Sequence, residues 1–412
     1  MIKGKIRKIF LDHWDEFCKL YRHKIRKHIF KEVEKMITCG SIENGYIGFK
    51  CGACGEEHKV GFTCKSRLCT SCGKKRTDDW VLKFSNKIST AQHRHMVFTI
   101  PEELRIYFAE DRKLLSTLSK CAAETIQTWI SDRYKKMTYT PGIVAVIHTF
   151  GRDLKWNPHV HILVTKGEIG EDLSWKRTNF FPYEMLRKRW RKILLDKIEE
   201  NLGRKHSKKE FKKLKNTMYN NYKDGFYVYG EGEVNNSKAA AKYIGRYAAR
   251  PAIAESRIIN YDGKIVSFEY IDHKDKKKKI VNVDALEFIK RVIRHVPDKN
   301  FKMVRYYGFY AQNNKFKEIV PKLIDDKVYE QLKKLSIWKY RILKEFGVDP
   351  VKCPNCGNQM ELEKVVIGEK CKRLDEIYEN IKRETMKKIN EFKEIDNIFK
   401  KRNNGIMGAI FN

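Results

Sequence analysis

Three consecutive residues, His159-Val160-His161, limit this chain more tightly than any other part of its sequence. Side chains alternate across a β-strand, so the apolar segment after Pro158 puts His159 and His161 on one face and Val160 on the other. Two imidazoles then aim at one point, as a metal centre requires. Upstream, Gly142-Ile-Val-Ala-Val-Ile-His148 is rich in β-branched residues, and the turn formers of Gly151–Pro158 fold the next strand back beside it. That return sets His148 across from the pair. Three neutral imidazoles with open positions suit a divalent ion used as a Lewis acid on a phosphate oxygen. Imidazole alone does not choose the metal, since it favours Zn, Ni or Fe while phosphate chemistry often recruits Mg2+ or Mn2+. A lone His-x-His is more often structural; the third histidine is what favours a metal centre. His93 and His95 also alternate and are rival ligands on sequence grounds.

The stretch from Ala239 to Arg250 reads as a helix that stops at Pro251. Within it Tyr243 and Tyr247 are four residues apart, so they share a helical face and can approach one phosphate. A phenol, with a reference pKa of about 10, needs a cation or a polarised target before it attacks phosphorus. Lys242, Arg246 and Arg250 are placed to stabilise the developing charge. Taken by itself Tyr-x3-Tyr is more often a pair of core aromatics, and the upstream histidines are what make the catalytic reading preferable.

The chain has 412 residues with 42% hydrophobic content, enough for a sizeable core and more than one domain. Lysine and arginine outnumber acids 86 to 52, a net charge of +34, which points to a polyanionic partner. A lysine-biased proteome would raise the same counts, so charge alone specifies no site. No apolar run reaches the ~20 residues that cross a bilayer, and the N-terminus lacks the apolar core of a signal peptide. The expectation is a soluble cytoplasmic protein.

Eleven cysteines without an export signal are expected to be metal ligands and buried thiols rather than disulfides. Cys51-x2-Cys54 and Cys69-x2-Cys72 are fourteen residues apart, a zinc-ribbon spacing, and suggest one structural Zn2+ site. Cys39 and Cys64 lie near enough to substitute or to join a second site. Cys353-Pro-Asn-Cys356 is a second knuckle without a partner pair, for which Cys371 is a candidate third ligand. Cys18 and Cys121 read as core residues.

The pattern divides the chain into helices and a zinc-binding domain over 1–82, a catalytic domain over 83–345, and a Cys knuckle with a charged helix over 346–412. Residues 5–37 carry the apolar stripe of one or two helices, expected to pack on the zinc ribbon. His93 to Ile100 reads as a strand, followed by helix through about 102–135, and residues 257–270 as a hairpin before a helix capped by Asp284. Between the histidine strand and the tyrosines lies a basic helical stretch. Arg187, Lys188, Arg189 and Arg191 there, interleaved with Trp190 and Phe211 farther on, suit a groove that tracks a nucleic-acid backbone and stacks its bases; a solvated helix face explains such runs equally well.

At these residues the chain resembles the HUH endonucleases, and more narrowly the two-tyrosine rolling-circle transposases of bacterial insertion sequences. The resemblance runs through Phe62–Cys72, His93–Pro101, Thr149–His161, Tyr243-Ile-Gly-Arg-Tyr247 with Ser256-Arg257, and Arg305-Tyr-Tyr-Gly-Phe309. It implies an α+β fold with a central antiparallel sheet flanked by helices, and His159 and His161 as metal ligands. His148 is a less direct transfer, because the third ligand varies in that family. The resemblance also implies Tyr243 and Tyr247 as the residues that become linked to DNA. Lys242 and Arg246 are read as catalytic beside them, and Arg250 and Arg257 as DNA contacts. The reaction implied is cleavage and rejoining of single-stranded or hairpin element ends through a 5′-phosphotyrosine. No phosphate loop of the Gly-x4-Gly-Lys-Ser/Thr type appears, so unwinding would fall to a host helicase. An initiator or relaxase with the same chemistry, or a zinc-containing DNA-binding protein without catalysis, are the alternatives; oligomeric state is not legible.

Overall fold

A computed structural model describes residues 4–85, 88, 91–203, 206–234, 239, 241–242, 244–245, 251–272, 275–313, 315–316, 349, 351–368, 370–373, 376, 379 and 383. Among these, chain order is α1 (Lys5–Tyr21), α2 (Lys27–Ile37), β1 (Tyr46–Cys51), β2 (Glu57–Gly61), α3 (Thr70–Ser85), β3 (His93–Thr99), α4 (Arg105–Glu110) and α5 (Leu115–Arg133). There follow β4 (Tyr139–Phe150), β5 (Trp156–Gly170), β6 (Trp175–Arg177), α6 (Tyr183–Glu200), α7 (Lys208–Asn221) and β7 (Val228–Val234). The remainder are β8 (Ile258–Tyr261), β9 (Ile265–Ile271), β10 (Lys278–Asp284), α8 (Ala285–Arg294), β11 (Val304–Gly308), β12 (Met360–Ile367) and β13 (Lys370–Arg373). The α+β class expected from the sequence is what forms: every strand pairing is antiparallel. Two compact units divide the chain, residues 1–37 with 65–338, and 38–64 with 339–412. The segment 38–64 thus groups with the C-terminal part rather than with the helices that precede it.

In the first unit the main sheet runs β11-β4-β5-β3-β7, with the short β6 on β5. Strand β4 is buried along nearly its whole length, which is why its sequence is a continuous apolar run rather than an alternating one. Its odd positions Ile143, Ala145 and Ile147 join Phe98, Val160 and Ile162 in a core with α5 and α6. Its even positions Val144 and Val146 face the other way, with Leu163 of β5 and Phe84 of α3. His148 is the next even position.

The basic stretch forms α6 and α7, yet its aromatics are not exposed. Leu186, Trp190, Leu194, Leu195 and Ile198 form the buried stripe of α6, and Trp190 and Phe211 have no exposed surface. Trp190 packs edge-on against Phe98 at 5.3 Å and donates its indole N–H to the Thr99 carbonyl at 2.8 Å. The expected stacking platforms are therefore core residues: burial of so large a ring outweighs any use at the surface. A second sheet, β10-β9-β8, contains the expected hairpin, and the Asp284 carboxylate accepts the Leu286 N–H to cap α8. Lys278 and Lys279 begin β10.

In the second unit the sheet order is β13-β12-β1-β2. Cys371 sits in β13, not at the start of a helix; the charged helix expected beyond it falls almost entirely outside the described residues. Among the described residues, no helix is long and apolar enough to cross a membrane.

Trp190→Ala is expected to destabilise the first unit by about 3–5 kcal/mol, through lost transfer energy and the cavity left behind. Denaturant unfolding monitored by circular dichroism reads this directly, and an unchanged midpoint would show that the ring is not a core element.

Candidate functional site

The histidines converge because of strand register. His148 of β4 lies directly opposite His159 of β5, and His161 lies opposite Val146, one step farther along the same face. Their ring centroids are 5.4 Å (His148–His159), 4.7 Å (His148–His161) and 4.9 Å (His159–His161) apart, with one nitrogen of each within 4.8 Å of the others. His159 Nε2 and His161 Nε2 are 3.1 Å apart. Cis ligands on an ion with bonds of about 2.1 Å stand roughly 3.0–3.4 Å apart, so the spacing fits a shared cation.

Two of the rings are oriented from behind. His159 Nδ1 is 2.7 Å from the Asn157 carbonyl, which accepts its N–H and leaves Nε2 as a lone-pair donor. His161 Nδ1 is 3.0 Å from His95 Nε2, the two rings stacked at 5.2 Å. His95, a rival ligand on sequence grounds, therefore stands behind the group instead of in it. The other rival, His93, pairs with the Tyr310 hydroxyl at 2.8 Å. Burial depresses the basicity of these rings: His159 falls to about 4 and His161 well below the ordinary histidine value, with the neighbouring histidines adding to the second shift. His159 and His161 are therefore neutral near pH 7, the state in which imidazole binds metal.

Two residues of the stretch that carries the tyrosines, Ala241 and Ile244, pack on this same side of the sheet. Ala241 and Ile244 are fully buried in the cluster of Val144, Val146, Leu163 and Phe84. A Cβ on Gly245 would come within 2.3 Å of Val81, so glycine is what lets the segment approach α3. Lys242 is exposed. Tyr243, Arg246, Tyr247 and Arg250 lie outside the described residues.

Of the cations read as DNA contacts, most are engaged within the protein. Arg187 donates to the Val228 carbonyl and lies over Tyr227, Arg189 pairs with Asp132, and Arg191 donates to the Tyr219 and Tyr222 carbonyls. Arg257 donates to the Glu269 and Arg152 carbonyls. Lys188 alone of the α6 set is exposed.

The cysteines of the second unit regroup. Cys51 and Cys54 gather with Cys353 and Cys356, not with Cys69 and Cys72 as the spacing suggested, and Cys371 is not in the set. Strand pairing is the reason: β1 ends at Cys51 opposite Met360 of β12, which brings the two Cys-x2-Cys-Gly turns together. These turns repeat each other. Gly55 N–H donates to Cys51 O at 2.9 Å and Gly357 N–H to Cys353 O at 3.0 Å, and the glycines take φ of 75° and 76°, where a side chain would be strained. The sulfurs of Cys51 and Cys356 are 3.5 Å apart and those of Cys54 and Cys353 3.6 Å, near the roughly 3.8 Å of tetrahedral zinc thiolates. Backbone N–H groups of Cys54 and Ala53 hold the Cys51 thiol down to about 7. Cys69 and Cys72 are buried in the first unit at the start of α3, where the Cys72 N–H donates to Cys69 Sγ.

Comparisons with known proteins agree with this inventory. A family described as "Putative transposase" matches residues 142–317, and a "Transposase zinc-binding domain" matches residues 9–100. The transposase of insertion sequence element IS801 from Pseudomonas savastanoi pv. phaseolicola is 31% identical over 82% of this chain and 83% of its own length. "Putative transposase y4qJ" of Sinorhizobium fredii is 26% identical over 65% of this chain and 70% of its own. No solved structure matches. The zinc-binding match and the four-thiol cluster together support structural Zn2+.

Purified protein is expected to carry zinc that Cys353→Ser and Cys51→Ser each reduce by one equivalent, because each removes one thiolate of a single site. Elemental analysis checks it; a loss from Cys51→Ser with none from Cys353→Ser would separate the two turns.

Proposed function

Since the chain belongs to the family of insertion-sequence transposases, for which DNA is the substrate, we propose that it is a metal-dependent HUH-type nuclease and strand transferase. It cuts and rejoins single-stranded DNA at element ends, in rolling-circle transposition. The observation that carries this reading is the convergence of His148, His159 and His161 on the sheet face where Ala241 and Ile244, which flank Tyr243 in sequence, also pack. The first unit would then be an HUH core.

In this reading the three histidines hold Mg2+ or Mn2+, which when bound would grip and polarise the scissile phosphate. One of Tyr243 and Tyr247 supplies the phenolate. Its oxygen forms a bond to phosphorus as the bond to the 3′ oxygen breaks, and the leaving oxygen takes up a proton to become a free 3′-hydroxyl. The phosphodiester energy is kept in the 5′-phosphotyrosine, so a 3′-hydroxyl of another strand can reverse the step. A second tyrosine lets two strands be held in turn. Lys242 and Arg246 would balance the negative charge that grows on the phosphate, and Lys188, Arg250 and Arg257 remain proposed DNA contacts. Cys69 and Cys72 remain proposed ligands of a second zinc, on their spacing and the zinc-binding match. His95 is a positioning residue, acting on the metal only through His161.

Incubation with a labelled element-end oligonucleotide and Mn2+ should give a denaturant-resistant adduct, absent in His159→Ala and in the Tyr243→Phe, Tyr247→Phe double variant. Persistence of the adduct in the double variant would falsify the tyrosine assignment. His95→Ala should weaken Mn2+ binding about 10- to 100-fold, with His95→Gln recovering part of it. Equal affinity for Mn2+ in wild type and His95→Ala would reduce His95 to packing.

A further inference from the structure

A second feature of the first unit is not used by the chemistry above. Between α2, the segment at 65–67 and the loop at 297–303 runs a groove of about 930 Å³, in which eight lysines and arginines face two acids. Both acids are already satisfied. Glu32 accepts the Arg67 backbone N–H and pairs with Lys35, and Asp298 sits between Arg26 and Arg112. Lys27, Lys31, Lys65, Lys299 and Lys302 are exposed and, among the described residues, form no ion pair. Like charges held this close repel one another, and a polyanion relieves the repulsion. Half-buried Trp80, Phe301 and Tyr306 line the same groove.

The groove leads to the histidines. Arg67, Val296, Pro297 and Met303 line it and also line the small recess onto which His148 opens beside Phe150 and His295. His148, which lines that recess, and His161 beside it are each only 7% exposed. A phosphate inside stacked duplex does not reach such a position, whereas the backbone of an unpaired strand bends into it. Cations that follow a backbone, with aromatic rings between them, are the recognised construction for single strands.

We propose that this groove is the track for single-stranded DNA on its way to the histidine site, with Lys27, Lys31, Lys65, Lys299 and Lys302 contacting phosphates. The destination rests on the nuclease reading; binding in the groove does not, since it needs neither metal nor tyrosine.

The test uses the full chain with its zinc retained and no added Mg2+ or Mn2+, with a fluorescent oligothymidylate of about 16 nucleotides and a duplex of equal length. Lys27→Glu with Lys31→Glu, and separately Lys299→Glu with Lys302→Glu, should each weaken single-strand binding roughly tenfold and lower the salt slope by about 1.4, or 0.7 per lost contact. Lys212→Glu with Lys213→Glu on α7, an equal change in net charge, should leave affinity within about twofold of wild type. Unchanged single-strand affinity in the groove variants overturns the proposal. So does an equal loss in the α7 control, which would make the effect bulk charge, or duplex binding as tight and as sensitive as single-strand binding. A wild type that binds through the groove yet yields no adduct with Mn2+ would remove the nuclease reading and leave the track standing.

Discussion

The pairing register of β4 with β5 is the constraint on which the rest of the site depends. Because side chains repeat every two residues along a strand, a slip of one residue would turn His148 into the helix-packed core and bring Ile147 to the histidine face. Burial on both faces prevents the slip. Ile143, Ala145 and Ile147 are locked among α5 and α6 on one side, and Val144 and Val146 among Phe84, Ala241 and Ile244 on the other. The hydrophobic effect thus holds the register, and the register holds three imidazoles together.

Burial also sets the electrostatics. Desolvation keeps His159 and His161 neutral, and their inner nitrogens are taken by the Asn157 carbonyl and by His95, which leaves the facing nitrogens as donors of lone pairs. Neutral lone pairs converging at short range repel unless something positive lies between them. In the second unit the same logic applies to four thiols at the ends of two matching turns. In both places the protein contributes a preformed geometry whose cost a bound cation would offset.

Charge is distributed unevenly, and its placement follows the fold rather than the sequence runs. The arginines of the basic run of α6 are engaged by their neighbours, Arg187 and Arg191 on backbone carbonyls and Arg189 on Asp132, which leaves Lys188 exposed. The open cations of the groove come instead from α2, residue 65 and the loop before β11, segments far apart in the chain. A linear search for basic patches finds the first and misses the second.

The sequence by itself determined the elements whose signal is local. The period-two histidines, the apolar run of β4, the strand before Pro101, the hairpin around Asp262-Gly263 and the Asp284 cap are legible because each depends on a few neighbouring residues. The third imidazole was legible too, since a short turn leaves two strands little choice but to pair. Tertiary structure alone decided what depends on distant partners. It joined Cys51 and Cys54 to Cys353 and Cys356 through the β1–β12 pairing, buried Trp190 and Phe211, and put His95 behind His161. The physical reason is common to all three. Spacing and propensity act within one or two turns of chain, whereas burial and cross-strand pairing select among partners tens to hundreds of residues apart, and only the folded packing expresses that choice.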